Sequence, residues 1–95
     1  MVITGVNKSA EYVDIQNAGG NDVNLDGWML RSEKGSQDCR LGGVIVAGQS
    51  LRIYALASDS GLGGFNCGFG SPIWNNSEPD PAVLFNADGV EVSRR

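Results

Sequence analysis

The chain has no histidine, three prolines and two cysteines, and its apolar runs are no longer than five residues, as in the four-residue VIVA at Val44 to Ala47. Each shortage excludes something. Without histidine, the commonest general base and the commonest metal ligand are missing. Catalysis would need a carboxylate pair, and the candidate, Glu78 with Asp80, flanks Pro79 in what reads as an open turn with no apolar neighbour to split the two pKa values. No catalytic residue is therefore assigned. Two cysteines without a Cys-x-x-Cys spacing cannot complete a tetrahedral zinc site. Asp59, Glu78, Asp80 and Asp88 all fall on expected loops, but no Asp-x-Asp-x-Asp-Gly loop occurs, so they read as solvated turn carboxylates rather than calcium ligands. Neither metal nor cofactor is expected. An apolar run this short does not insert into a bilayer, which takes about 20 apolar residues as a helix. The opening MVITGVNKSAEYV lacks a basic start followed by an apolar block, so it is not a signal peptide, and any export signal is expected upstream.

What is present points to strands. Glycine occurs fourteen times, about twice the usual share, which calls for many tight turns. Hydrophobic residues at 41% and charged residues at 19% describe a globular chain, not a disordered tail. A chain of 95 residues makes one domain, 1–95, and buries only about 60 to 65% of the surface its unfolded form exposes, so a covalent staple would help it. The net charge of −4 repels phosphate backbones and anionic surfaces, which disfavours nucleic acid as a direct partner. A local basic spot from Arg52, Arg94 and Arg95 is the one feature that would favour it.

Period-two alternation recurs, with no heptads and no internal repeat. In EYVDIQN, Val13 and Ile15 share a face; Trp28 pairs with Leu30; in SLRIYAL, Leu51 and Ile53 lie with Ala55 opposite Arg52, Tyr54 and Leu56. Val13, Ile15, Trp28, Leu30, Leu51 and Ile53 are the expected core. Strands are predicted near 2–6, 11–17, 22–25, 28–33, 38–46, 50–57, 67–69, 81–86 and 90–93, with turns at Asn17–Asn21, Asp26-Gly27, Ala47–Ser50 and Asn86–Gly89. Asp88-Gly89 between AVLF and VEV predicts a tight hairpin with positive φ angles. Seven to nine short strands at this spacing predict an all-β, two-sheet sandwich. Residues 57–81 form a long glycine-rich segment, of the kind that is functional or tied down.

Within that segment GSPIWNNS places Ile73 and Trp74 among turn residues. Two readings stand: Trp74 plugs one end of the sandwich while Asn75 and Asn76 bind loop backbone, or Ile73, Trp74, Asn75 and Asn76 form a ligand-contact loop. Cys39 and Cys67, if bridged, close a loop of about 30 residues, for which the chain-entropy model gives about 3.5 kcal/mol. The alternative is two buried thiols in a cytosolic protein.

Three motifs resemble the lamin tail domain family in its microbial form, in the same order: EYVDIQNAGGNDVNLDGWML, AGQSLRIYA and WNNSEPDPAVLFNADGVEVS. Two departures are Glu78-Pro79-Asp80-Pro81, where the family has a short Gly-Asp turn, and Ala47-Gly48 in place of Pro-Gly. The resemblance implies an immunoglobulin-like β-sandwich, excised from a longer multidomain, exported or surface-attached protein. It implies a non-catalytic, extracellular binding module whose partner is a protein or cell-surface component. A monomer is expected, with self-assembly through edge strands, or service as the substrate-attachment domain of a secreted nuclease or hydrolase, as alternatives. With no coiled-coil rod, a nuclear lamin filament is not implied.

Overall fold

Alternation becomes strand wherever an apolar face can be buried. In the second strand Val13 and Ile15 are fully buried, while Tyr12, Asp14 and Gln16 face outward. The computed structural model describes residues 1–74 and 79–95. These form β1 (Val2–Asn7), β2 (Tyr12–Gln16), β3 (Val23–Asn24), β4 (Met29–Ser32), β5 (Gln37–Arg40), β6 (Val44–Ile45), β7 (Ser50–Leu56), β8 (Phe65–Phe69), β9 (Ala82–Phe85) and β10 (Glu91–Arg94), with one 3-10 helix, Ala57–Leu62.

Two four-stranded sheets result, ordered β1-β2-β7-β8 and β10-β9-β4-β5, and a two-stranded ribbon pairs β3 with β6. Neighbours are antiparallel except β7 and β8, which run parallel. The large sheets pack face to face. Val13, Ile15, Ile53 and Ala55 project from one, and Leu30, Cys39, Ala82 and Leu84 from the other. Each fully buried leucine or isoleucine contributes about 1.5–3 kcal/mol. Trp28 and Leu51, expected in the core, are only half-buried and pack against its margin. Trp28 immediately precedes β4 and Leu51 is the second residue of β7, so both lie at strand ends.

Both lateral seams of the sandwich are closed. Where β1 overlies β10, Ile3 N–H donates to Ser93 Oγ at 3.0 Å. Where β8 overlies β5, Cys39 and Cys67 form a disulfide with a Cα–Cα distance of 5.4 Å.

Three local expectations need correction. The predicted strand 38–46 is two strands, β5 and β6, in different sheets. The chain turns between them at Gly43, whose φ of +80° suits glycine alone and whose N–H donates to Asp26 Oδ1. The C-terminal hairpin is a longer turn than a two-residue one. Only Gly89 has positive φ, Gly89 N–H donates to Asn86 O, and the Asn86 side chain accepts the N–H groups of Asp88 and Val90. Residues 57–81 hold the 3-10 helix and β8, which begins at Phe65, two residues before the predicted start. The Asn66 side chain organises β8, donating to Leu56 O and accepting from Gly68 N–H.

Candidate functional site

The inward face of β2 is bracketed by two polar residues. Glu11, Val13, Ile15 and Asn17 are in phase, and all four are buried. Asn17 closes one pole of the sandwich: its Nδ2 donates to Ile45 O and Asn21 O, so the β3–β6 ribbon is fastened to the end of β2. Glu11 closes the other pole.

Ile73 and Trp74 enter at the Glu11 pole. Their side chains are 4% and 3% exposed, which withdraws both from a contact surface. Glu11 Oε1 accepts the N–H of Ile73 at 2.6 Å and Oε2 accepts that of Trp74 at 3.2 Å. From the opposite sheet, Ser32 Oγ donates to Ile73 O at 2.7 Å and lies 3.0 and 2.9 Å from the two Asp80 carboxylate oxygens. Asp80 Oδ1 also accepts Lys34 N–H at 2.9 Å. The segment carrying Trp74 is thus held by the Glu11 carboxylate and the Ser32 hydroxyl; Asn75 and Asn76, expected to tie it down or contact a ligand, lie outside the described residues. Glu78 lies there too.

Asp80 departs from the expectation of a solvated turn carboxylate, being 1% exposed. Buried carboxylates can mark reactive sites. Here Glu11 accepts the backbone N–H groups of Ile73 and Trp74, and Asp80 accepts that of Lys34 beside the Ser32 hydroxyl. The chemistry of this cluster is fastening. Trp74 Nε1 is buried with no acceptor among the described residues.

The remaining charged groups are distributed over the outer faces. On the β1-β2-β7-β8 sheet, Arg52 forms paired hydrogen bonds to Asp14 at 2.8 and 3.1 Å and stacks 3.9 Å above the Tyr12 ring, with Tyr54 edge-on to Tyr12. Hydrogen bonding to Asp14, then to Tyr54, raises the Arg52 pKa. On the other sheet, Arg31 binds Asp38 at 2.6 Å and lies over Phe85. Arg94 bridges Glu91 and Glu33 at 2.9 and 2.8 Å, and its hydrogen bond holds the Glu91 carboxyl below its ordinary range. The expected basic spot from Arg52, Arg94 and Arg95 does not assemble, because Arg52 is on one sheet, Arg94 on the other, and both are neutralised.

At the Asn17 pole, Val44 and Val46 are exposed to either side of the buried Ile45. Among the described residues, no three histidine, cysteine or acidic side chains are grouped to hold a metal ion.

Two sheets packed face to face, closed at one seam by a disulfide and plugged by a tryptophan, define an immunoglobulin-like β-sandwich. Among curated proteins, none matches this sequence. The chain belongs to the lamin tail domain family, which matches it across residues 1–95. That family consists of immunoglobulin-like modules not known as catalytic.

Proposed function

We propose that the chain is a non-catalytic attachment module, carried by a larger exported protein, that holds this protein to another protein or to a cell-surface component. The Cys39–Cys67 bridge is the observation that carries the reading, since structural disulfides persist in oxidising compartments. Family membership supports the module class. The commitment of the buried Glu11 carboxylate to the backbone N–H groups of Ile73 and Trp74 supports a binding rather than a chemical role. The exposed pair Val44 and Val46 offers apolar contact area at one pole. Nucleic acid is disfavoured by the net charge of −4 and by carboxylate partners on Arg31, Arg52 and Arg94. No described helix is long and apolar enough to cross a membrane.

Two measurements test this. Labelled, oxidised protein titrated onto intact cells of the producing organism is expected to bind saturably, and to lose binding when surface proteins or glycans are stripped. Lack of saturable binding to any cell surface overturns attachment. Melting at a series of glutathione potentials is expected to give a bridge below about −300 mV with a lower Tm on reduction. A bridge that glutathione opens without thermal cost overturns export.

A further inference from the structure

The four edge strands of the two large sheets are not equivalent. In β1 the register shifts between Ile3 and Gly5, in β10 between Glu91 and Ser93, and in the β7–β8 pair after Asn66. Such irregularities twist an edge away from strand addition. The β1–β10 seam is further tied by the Ile3–Ser93 hydrogen bond. β5 differs from all three: its register with β4 is unbroken from Met29↔Arg40 to Ser32↔Gln37.

The ladder fixes which way β5 turns its backbone. Leu41 N–H donates to Trp28 O at 2.9 Å, so this position faces β4. By the alternation of an antiparallel pair, Cys39 and Gln37 also face β4, and Asp38 and Arg40 present their N–H and C=O groups to the open side. Among the described residues, neither Asp38 nor Arg40 makes a backbone hydrogen bond outside the β4–β5 pair. Both side chains stand on the exposed face. Asp38 is held by Arg31, and Arg40 has no hydrogen-bond or ion-pair partner among the described residues.

We propose that β5 is a self-association edge, along which two copies of this chain pair antiparallel about a two-fold axis through Cys39. The β10-β9-β4-β5 sheet then continues into its counterpart. In this register Asp38 lies opposite Arg40 of the second copy and Arg40 opposite its Asp38, so the outward backbone groups of both residues find partners. Each free Arg40 guanidinium comes beside an Asp38 carboxylate on the same face, and opposite charges placed so are stabilising. An axis through Asp38 or through Arg40 would oppose like charges. An axis between residues would set outward groups against inward ones. The edge is thus self-complementary in one register, as an isologous contact requires. Four residues a side fall well short of the roughly 1,600 Å² of a standard interface, so the pair is weak and forms where copies are crowded. This contact is independent of the attachment partner proposed above.

The test is sedimentation and amide NMR from micromolar to millimolar concentration. The expected result is a rising mass, with concentration-dependent shifts centred on the amides of Asp38 and Arg40. Asp38→Arg and Arg40→Asp each place like charges opposite and should weaken self-association roughly tenfold or more. Mixed together they should pair, because every arginine then faces an aspartate. Arg40→Pro removes an outward N–H without touching the β4 ladder, and should abolish pairing even if a charge variant fails to fold. A constant monomer mass up to millimolar concentration overturns the proposal. So does a mixture no more associated than its components, or shifts centred on β1, β10 or Val44.

Discussion

The Glu11 carboxylate accepts the backbone N–H of Ile73 at 2.6 Å from 62 residues away in the sequence. Glu11 does this from a left-handed backbone, φ +58°, which costs an ordinary L-residue about 1–2 kcal/mol. Charge-assisted bonds to two buried N–H groups offset that strain. Glu11→Gln keeps one acceptor oxygen and sets an NH2 against the other N–H. Its expected cost is about 2 kcal/mol, or roughly 8–16 °C in Tm. Thermal and urea melts check it; an unchanged Tm would show that the bonds carry no net stability.

Reduction of the Cys39–Cys67 bridge releases a span of 28 residues. The expected loss is about 3.5 kcal/mol, a large part of the roughly 5–10 kcal/mol available to a domain of this size. Melting with and without reductant, at fixed protein concentration, should differ by roughly 15–25 °C.

Trp74 fills one pole of the core without a bond to its indole N–H among the described residues. Trp74→Ala should cost about 3–5 kcal/mol for the cavity it leaves. Trp74→Phe should cost less than half of that, because no hydrogen bond to a described residue is lost. Equal costs for the two would reveal a partner to Nε1, such as a buried water.

Gly64 and Gly48 share a positive φ, +65° and +80°, but differ in their surroundings. A Cβ at Gly64 would collide with the Arg52 carbonyl on β7, whereas Gly48 faces open space. Gly48→Ala should cost only the backbone strain, about 1–2 kcal/mol. Gly64→Ala should cost distinctly more and disturb the amide signals of β8 first. Similar urea midpoints for the two variants would contradict the close approach of β8 to β7.

The sheets were legible because alternation fixes which residues face inward, as Val13 with Ile15 and Leu30 opposite them show. The pole clamp was harder to see because composition rules send acids to the surface. Yet its residues continue the same inward phase: Glu11 before Val13, Ser32 after Leu30, Asp80 before Ala82. A polar residue where the period-two pattern asks for an apolar one was the available signal. The division of 38–46 was hidden for a different reason. Gly42-Gly43 reads as a weak spot within a strand, and only the pairing of β6 with β3 shows that it is a corner. The burial of Asp80 was hidden because two flanking prolines suggest an open turn, whereas its carboxylate lies against the Ser32 hydroxyl.

Tension gives the disulfide another meaning. A module that holds one body to another is pulled, and the chain between Cys39 and Cys67 is a covalent loop that cannot be drawn out. Unravelled from its terminal strands, the oxidised chain is shorter than the reduced one by the 28 residues of that span, roughly 100 Å of contour at about 3.3–3.6 Å per residue. In the proposed attachment role, Cys39 and Cys67 would therefore limit how far the chain can be drawn out.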